Sequence, residues 1–397
     1  MLRLYVTHKK ARRTHQKPEE TMYNRISERY HKKKKRQKRI ALCAGILVGA
    51  IIAILIFANR GTPDIKGSMK LMPFSANDTY APYSAGVVYQ KGNKLSAINE
   101  KQETLFETNV ELLNATLLTQ GDVIVLHNET ALQAINLKGE ILFTKAFENI
   151  QYVRSCATNV AVMALNAENK QVITVLDLHG NPLTTILFDY KLLDFGFMDD
   201  GTIWSLVLDT SKVTFSCTIT TYKNNGNTIN GITNIDSQMI QSLMFSKSNI
   251  CAVGTNHIIV CNYIGEKLST ELIYGWQLLD STINAKDQSV YLLAPRTENA
   301  GAPVYSSVKV VSINPNSVQG NAGNASSTTQ LPPECFNVLL TEGKFYAFTQ
   351  DTLYVYDTNC KLLQENALPF KPDAVVRAYG NNVFISNGVE VYLAKLS

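Results

Sequence analysis

The feature that most constrains the fold of this chain is an internal repeat in residues 70–397. Each copy contains a short apolar or β-branched strand that ends at or near an Asn or Asp, a turn that often contains Gly, and a second strand. The copies are anchored at Asn99, Asn136, Asp177, Lys223, Asn262, Asn314 and Asp357. Short strands bounded by turn residues, without a sustained 3.6-residue periodicity, predict an all-β domain.

The spacing of the repeat indicates the type of all-β fold. Successive anchors are 37, 41, 46, 39, 52 and 43 residues apart, which matches the roughly 40–50 residues of a four-stranded propeller blade. An eighth copy begins at Asn382, and the sequence stops at Ser397 without room for an outer strand. We expect residues 66–74 to supply that strand, because Pro73 suits a strand edge. The sequence therefore predicts an eight-bladed β-propeller over 70–397, with seven blades as the alternative.

The longest gap between anchors contains a segment of distinct composition. Residues 314–333 are rich in Asn, Ser, Gly and Thr, contain three Pro, and carry no charge. Such a composition is typical of flexible connections. We therefore predict a flexible insertion at 314–333.

A run of nineteen apolar residues, Ile40–Ala58, precedes the repeats. As a helix it spans roughly 28 Å, about the thickness of the hydrocarbon core of a bilayer. We predict a single transmembrane helix over 40–58, joined to the propeller by a polar linker over 59–69. A cleaved signal peptide is the alternative, but its apolar region is usually only about 7–15 residues long.

The distribution of charge predicts the orientation of this helix. Residues 1–39 contain 15 Lys and Arg but 3 acidic residues, whereas residues 40–397 contain 23 basic and 30 acidic residues. Loops with an excess of Lys and Arg stay in the cytoplasm. We therefore expect a cytoplasmic tail over 1–39 and an extracellular C-terminal domain on the cell membrane.

The basic tail has too few apolar residues to fold alone, so we expect it to be disordered. Its charge is concentrated at Lys32, Lys33, Lys34, Lys35, Arg36, Lys38 and Arg39. Such clusters bind nucleic acid in some proteins. Beside a membrane helix they are better explained by topology and by contacts with anionic lipid headgroups, and we expect no nucleic-acid partner.

Small residues recur every four positions within the apolar run, at Ala41, Gly45, Gly49 and Ala53. They line one helix face and allow two helix backbones to approach closely. This pattern predicts a homodimer through the membrane helix. The alternative is that Gly and Ala are simply common in membrane helices.

The propeller region contains no recognisable catalytic motif. We find no Gly-x-Ser-x-Gly, His-Glu-x-x-His, phosphate-binding Gly-Lys-Ser/Thr or Cys-x-x-Cys sequence. His127, His179 and His257 belong to different strands or turns, so we interpret them as isolated residues rather than a metal site. Asp199-Asp200-Gly201 lacks the alternating oxygen ligands of a calcium loop and predicts a tight turn that enters a strand. We expect no cofactor and no enzymatic activity.

Two of the six cysteines outside the apolar run flank a predicted hairpin. A three-residue loop in the hairpin around Gly254–Asn256 would place Cys251 opposite Cys261, which allows a disulfide. The alternative is that these small side chains are buried as free thiols, which is common in strands.

The segment from Thr130 to Phe143 resembles the repeat of quinoprotein-like propellers, and the whole layout is similar to an uncharacterised family of single-pass propeller proteins from Gram-positive bacteria. The resemblance implies a cell-envelope protein with no known activity. A quinone cofactor is not expected, because quinoprotein dehydrogenases have adjacent disulfide-linked cysteines and repeated tryptophans. Here no two cysteines are adjacent, and Trp204 and Trp276 are the only tryptophans.

Two functions from different classes fit these observations. The first is a non-enzymatic interaction scaffold that binds an envelope protein or wall polymer through the propeller loops. The second is a propeller hydrolase or lyase that acts on an extracellular polymer. Three or more acids or histidines facing each other in the central channel would favour the enzyme; the missing motifs favour the scaffold.

Overall fold

The computed structural model describes residues 65–83, 86–121, 123–211, 213–223, 228–284, 286–296, 304–314, 324–341 and 343–396. These residues form eight antiparallel sheets of four strands each. In seven sheets the strands follow chain order from the innermost to the outermost strand. The prediction of an eight-bladed β-propeller is therefore confirmed, and the seven-bladed alternative is wrong.

The first four blades take their strands in order along the chain. Blade 1 contains β2 (Thr79–Tyr83), β3 (Gly86–Lys91), β4 (Lys94–Asn99) and β5 (Thr104–Asn109). Blade 2 contains β6 (Thr116–Gln120), β7 (Val123–His127), β8 (Ala131–Asn136) and β9 (Ile141–Ala146). Blade 3 contains β10 (Ile150–Ser155), β11 (Asn159–Leu165), β12 (Gln171–Asp177) and β13 (Pro182–Leu187). Blade 4 contains β14 (Lys191–Phe197), β15 (Ile203–Asp209), β16 (Ser216–Tyr222) and β17 (Ile229–Asp236).

The last four blades continue the series and return to the start of the chain. Blade 5 contains β18 (Ile240–Phe245), β19 (Asn249–Gly254), β20 (His257–Asn262) and β21 (Lys267–Leu272). Blade 6 contains β22 (Trp276–Ile283), β23 (Ser289–Pro295), β24 (Ser307–Ile313) and β25 (Ala325–Gln330). Blade 7 contains β26 (Asn337–Thr341), β27 (Lys344–Phe348), β28 (Thr352–Asp357) and β29 (Leu362–Ala367). Blade 8 contains β30 (Ala374–Arg377), β31 (Asn382–Ser386), β32 (Glu390–Lys395) and β1 (Lys70–Ser75).

The N-terminal strand closes the ring, as the sequence predicts. Strand β1 is the outermost strand of blade 8 and pairs antiparallel with β32, with Lys70 opposite Leu393 and Ser75 opposite Glu390. Pro73 lies where the register of this pair is irregular. An outer strand can accommodate a residue without a backbone donor at such a position.

The repeated Asn or Asp closes the turn between the third and fourth strands of a blade. In blade 2, Asn136 Oδ1 accepts hydrogen bonds from the backbone N–H groups of Lys138 at 2.9 Å and Glu140 at 3.0 Å. Gly139 adopts a φ of +83°, which favours glycine. The same side-chain bonds occur at Asn99, Asp177, Asn262 and Asp357. The sequence repeat therefore reflects a repeated turn with a defined hydrogen-bond pattern.

These turns also pack against neighbouring blades. A Cβ atom added to Gly139 of blade 2 would lie 2.5 Å from the ring of Phe106, in the outer strand of blade 1. Gly180 of blade 3 approaches Phe143 of blade 2 in the same way. At both of these interfaces, a Gly-containing turn therefore packs against an aromatic ring of the preceding blade.

Alternating strand directions place all loops of a blade at two ends of the ring. The loops between first and second strands, and between third and fourth strands, lie at one end. We call this end the proximal face, because β1 starts there. Loops between second and third strands, and connections between blades, lie at the other end, the distal face.

Two predicted boundaries need correction. Residues 325–330, within the predicted flexible insertion, form β25 and pair with β24. An outer strand exposes most of its side chains, so a run of Ser and Thr needs no apolar pattern there. Residues 65–68, within the predicted linker, form a short helix, α1 (Ile65–Ser68), whose Ile65 is buried in an apolar cluster with blades 7 and 8.

Candidate functional site

The innermost strands carry two carboxylates within the described part of the chain, Asp194 in β14 and Asp280 in β22. Asp194 forms an ion pair with Arg154 of the neighbouring blade at 3.2 Å. Asp280 forms an ion pair with Arg377 of blade 8 and accepts a hydrogen bond from the backbone N–H of Leu340 of blade 7 at 2.7 Å. These contacts connect inner strands of different blades.

The described inner strands contain no histidine, and the described residues include no group of three His, Cys, Asp or Glu that could hold a metal ion. The described inner strands therefore carry two carboxylates and no histidine.

The three histidines lie in three different blades. His127 ends β7 and His257 begins β20, so both are on the distal side, whereas His179 lies in a turn on the proximal face. His127 is buried, and burial lowers the pKa of its imidazole. His179 is exposed, and its Nδ1 lies 3.9 Å from Asp177 Oδ2. The structure does not bring the three together.

The Asp199-Asp200-Gly201 segment forms the predicted tight turn between β14 and β15. The backbone N–H of Gly201 donates to Met198 O at 2.9 Å, and the N–H of Thr202 donates to Asp200 Oδ1 at 2.8 Å. Gly201 has a φ of +80°. The turn also borders a cleft that the sequence analysis did not anticipate.

This cleft lies on the proximal face at blades 4, 5 and 6 and has a volume of about 760 Å³. The loops β14–β15, β18–β19 and β22–β23 contribute most of its surface. Its apolar part includes the rings of Phe197, Phe245 and Tyr263. Asp199, Asp200, Asp287 and Lys247 are its charged residues. The volume falls within the range of small-ligand sites, roughly 300–1,000 Å³.

Tyr263 reports the electrostatic environment of the cleft. Its hydroxyl donates a hydrogen bond to Ser246 O at 2.6 Å. Burial raises the pKa of Tyr263 to about 12, and the charge of Asp200 adds to this effect, followed by Cys251, Asp287 and Asp199. The cleft therefore combines aromatic surface with negative potential.

The distal face carries more exposed apolar side chains in its loops than the proximal face does. Among the described residues, nine large apolar side chains are well exposed in loops. Eight of them are on the distal face: Leu113, Tyr190, Val213, Phe215, Met239, Tyr274, Val304 and Val389. Ile264 is the ninth and lies on the proximal face.

Five of these eight residues belong to blades 4–6 and their connections, and we call them the distal ridge: Val213, Phe215, Met239, Tyr274 and Val304. Hydrogen bonds join the loops that carry them. The N–H of Ser237 donates to Phe215 O at 3.1 Å, and the N–H of Thr255 donates to Met239 O at 2.9 Å. The side chain of Arg296 donates to Thr255 O at 2.6 Å, and its backbone N–H donates to Gly275 O at 2.9 Å. The ridge is therefore built on connected loops.

The possible disulfide between Cys251 and Cys261 does not fit the register of the hairpin. The loop between β19 and β20 contains two residues rather than three, and Val253 pairs with Ile258. Cys251 is therefore opposite Val260, while Cys261 is opposite Ile250. Successive residues of a strand point to opposite faces, so the two side chains lie on different sides of the sheet, and both thiols are free.

The predicted membrane and lipid sites lie outside the described residues. This applies to Ala41, Gly45, Gly49 and Ala53, and to Lys32, Lys33, Lys34, Lys35, Arg36, Lys38 and Arg39. Within the described ranges, no helix has both the length and the apolar character needed to cross a membrane.

The fold thus defines an eight-bladed β-propeller with an apolar ridge at one end and an acidic, aromatic cleft at the other. A family model described as a family of unknown function, DUF5711, matches residues 66–298. The chain belongs to this family, which agrees with the expected resemblance to an uncharacterised family. A search of the curated proteins finds no match.

Solved structures with the same fold have very different sequences. The chain is similar to BamB from Moraxella catarrhalis, with a TM-score of 0.51, 10% identity, and coverage of 83% of this chain and 100% of BamB. It is also similar to the WD40 domain of SCAP from fission yeast (TM-score 0.56, 7% identity, 82% and 97% covered) and to the computationally designed Ika8 protein (TM-score 0.54, 13% identity, 83% and 98% covered). At these identities the similarity shows the fold alone.

Proposed function

We propose that this protein is a non-enzymatic interaction scaffold of the cell envelope. In this proposal, the helix over 40–58 anchors the propeller outside the membrane, and the distal ridge binds a protein partner. The observation that carries the proposal is the unequal distribution of exposed apolar side chains between the two ends of the ring.

Exposed apolar side chains gathered on one surface often mark protein interfaces. Tyr274 is 75% exposed, and tyrosine is among the residues that dominate binding energy at interfaces. Phe215 and Met239 add apolar area of the kind enriched in interface cores. A protein partner fits this chemistry better than a hydrophilic wall polymer does.

The hydrogen bonds between the ridge loops support the same proposal. Because Arg296 connects two of these loops, binding requires less ordering of the backbone than it would for independent loops. Preorganisation of this kind improves affinity by lowering the entropy cost of association. Strand β1 begins at the proximal face, the end of the ring opposite the ridge.

Site-specific crosslinking tests the ridge. A photoreactive phenylalanine analogue is placed at Phe215 or Tyr274 in the full chain and irradiated in intact cells. Ile264, 76% exposed on the proximal face, is the matched control position. We expect the same adduct from both ridge positions and not from position 264. Equal adducts from all three positions, or none from the ridge, would contradict the proposal.

Cysteine labelling tests the anchor and its orientation. We expect Val213→Cys, in an exposed distal loop, to react with a membrane-impermeant maleimide on intact cells. Ser27→Cys, in the basic tail, should react only after the cells are lysed. Both variants are made in a background in which the native cysteines are replaced. Labelling of Ser27→Cys in intact cells would contradict the proposed topology.

A further inference from the structure

The proximal cleft has a chemistry that the distal ridge does not use. Its charged lining consists of three carboxylates, Asp199, Asp200 and Asp287, and one ammonium group, Lys247. None of the three carboxylates forms an ion pair with another described residue. We propose that this cleft binds an ammonium or guanidinium group carried on an alkyl chain, supplied by a basic peptide side chain or by a free polyamine.

Two of the carboxylates are held in place by neutral donors. Asp200 accepts the backbone N–H of Thr202 at 2.8 Å, and Asp287 accepts the hydroxyl of Ser248 at 2.8 Å. Each carboxylate can accept several hydrogen bonds, so both retain acceptor capacity for a ligand. Because their donors belong to blades 4 and 5 respectively, the rigid blades fix the spacing of the negative charges.

The aromatic lining suits the rest of such a ligand. Phe245 packs against Trp204 with ring centroids 5.2 Å apart, and the hydroxyl of Tyr263 is fixed by its bond to Ser246 O. A cation positioned over an aromatic face is attracted by the ring, and the alkyl chain of Lys or Arg packs well on apolar surface. The cleft therefore offers contacts both to the charged head and to its stem.

The hydroxyl of Thr202, a largely buried residue of the cleft, provides an observation independent of the acids. Thr202 is 9% exposed and lines the cleft. Among the described residues, its side-chain hydroxyl has no hydrogen-bond partner, although its backbone N–H is bonded to Asp200. A hydroxyl oxygen can accept hydrogen bonds. It is therefore available to the N–H donors of an ammonium or guanidinium group in the cleft.

The electrostatics of Tyr263 agree with this assignment. Burial is the largest cause of the raised pKa of this phenol, and the carboxylates add to it by disfavouring a negative charge in the cleft. The same field favours a bound cation. The cleft is at the opposite end of the ring from the distal ridge, so the two sites can be tested separately.

Saturation-transfer NMR on the full chain in a neutral maltoside detergent tests the proposal. The probes are acetyl-Gly-Arg-Gly-amide, acetyl-Gly-Lys-Gly-amide and 1,5-diaminopentane. A citrulline peptide, equal in shape to the arginine peptide but neutral, is the ligand control. We expect saturable binding of the cationic probes, weakened by added salt, and at least about tenfold weaker binding of the citrulline peptide. A preference for the peptides over the diamine identifies a protein side chain as the ligand, and the reverse identifies a free polyamine.

Variants locate the binding in the cleft. Asp199→Asn/Asp200→Asn keeps the oxygen that closes the turn but removes two charges, and we expect it to lower affinity for the cationic probes at least about tenfold. Glu148→Gln/Asp189→Asn removes two exposed charges from the distal face and should leave affinity unchanged. The proposal is overturned if both double variants bind alike, if the citrulline peptide binds equally well, or if no cationic probe shows saturable binding below about 10 mM.

Discussion

The contact between Gly139 and Phe106 gives a quantitative test of how neighbouring blades pack. A Cβ atom on Gly139 would lie 2.5 Å from Phe106 Cδ2 and 2.7 Å from Cγ, and Phe106 is buried. We predict that Gly139→Ala destabilises the propeller for two reasons. A non-glycine residue in the left-handed region costs about 1–2 kcal/mol, and overpacking a buried contact adds about 1–3 kcal/mol.

The total of about 2–5 kcal/mol is a large fraction of the roughly 5–15 kcal/mol by which folded proteins are usually stable. The matched control is Gly343→Ala, because Gly343 has nearly the same φ, +81° against +83°, and no atom within 4 Å of its added Cβ. The control should therefore lose only the conformational part of about 1–2 kcal/mol.

Urea unfolding of the full chain, followed by circular dichroism, measures both losses. In a Phe106→Leu background, Gly139→Ala should lower the free energy of unfolding by less than it does in the unmodified chain, because the smaller side chain relieves the clash. The reasoning is refuted if Gly139→Ala and Gly343→Ala lower the free energy of unfolding equally.

Three further predictions concern titration, the channel and the thiols. Because burial lowers the pKa of His127 in the folded state, the unfolded chain binds this proton first as the pH falls. The free energy of unfolding should therefore decrease below about pH 6.5, and the decrease should be smaller in His127→Gln. Thermal melts between about pH 7.5 and 5 measure both proteins. Equal pH profiles of the two proteins would contradict this prediction. Asp280→Ala should lower the free energy of unfolding by about 1–3 kcal/mol, because Arg377 and a backbone N–H lose their acceptor; an unchanged urea midpoint would argue against this contact. In the unfolded, unreduced chain, Cys251 and Cys261 should both react with a maleimide, and protection of both would indicate a disulfide.

The blade number was predictable because the repeated turn depends on local chemistry. Asn136 and its counterparts bond to backbone groups two and four residues later, so the motif is visible in the sequence. In five blades the Asn or Asp is the last residue of the third strand, so the spacing of the motif measures the blade length. Ring closure was predictable for a related reason, since the eighth copy lacks one strand.

The hairpin at Cys251 and Cys261 shows how a small error in a loop changes the result. A three-residue loop would place the two cysteines opposite each other, but the structure has two residues between β19 and β20. A shift of one residue moves a side chain to the other face of the sheet. Strand β25 was missed because an exposed outer strand of Ser and Thr lacks the apolar pattern that identifies a strand.

The binding surfaces were not predictable, because their residues come from separate blades. Asp200 and Asp287 belong to loops of blades 4 and 6 that share no sequence motif. Phe215 and Tyr274 are likewise distant in sequence, and only the stacking of blades brings their loops to one end of the ring. The signal available in the sequence was limited to apolar residues placed in turns.

The affinity of the distal ridge for its partner is the most direct test of the scaffold proposal. Once the crosslinked partner is identified, its dissociation constant is measured by calorimetry with the full chain and with two variants. Phe215→Ala/Tyr274→Ala should weaken binding at least about tenfold, or about 1.4 kcal/mol. Ile264→Ala, which removes from the proximal face a side chain as exposed as that of Tyr274, should bind like the unmodified chain. Unchanged affinity in the ridge variant, or an equal loss in both variants, would contradict the proposal.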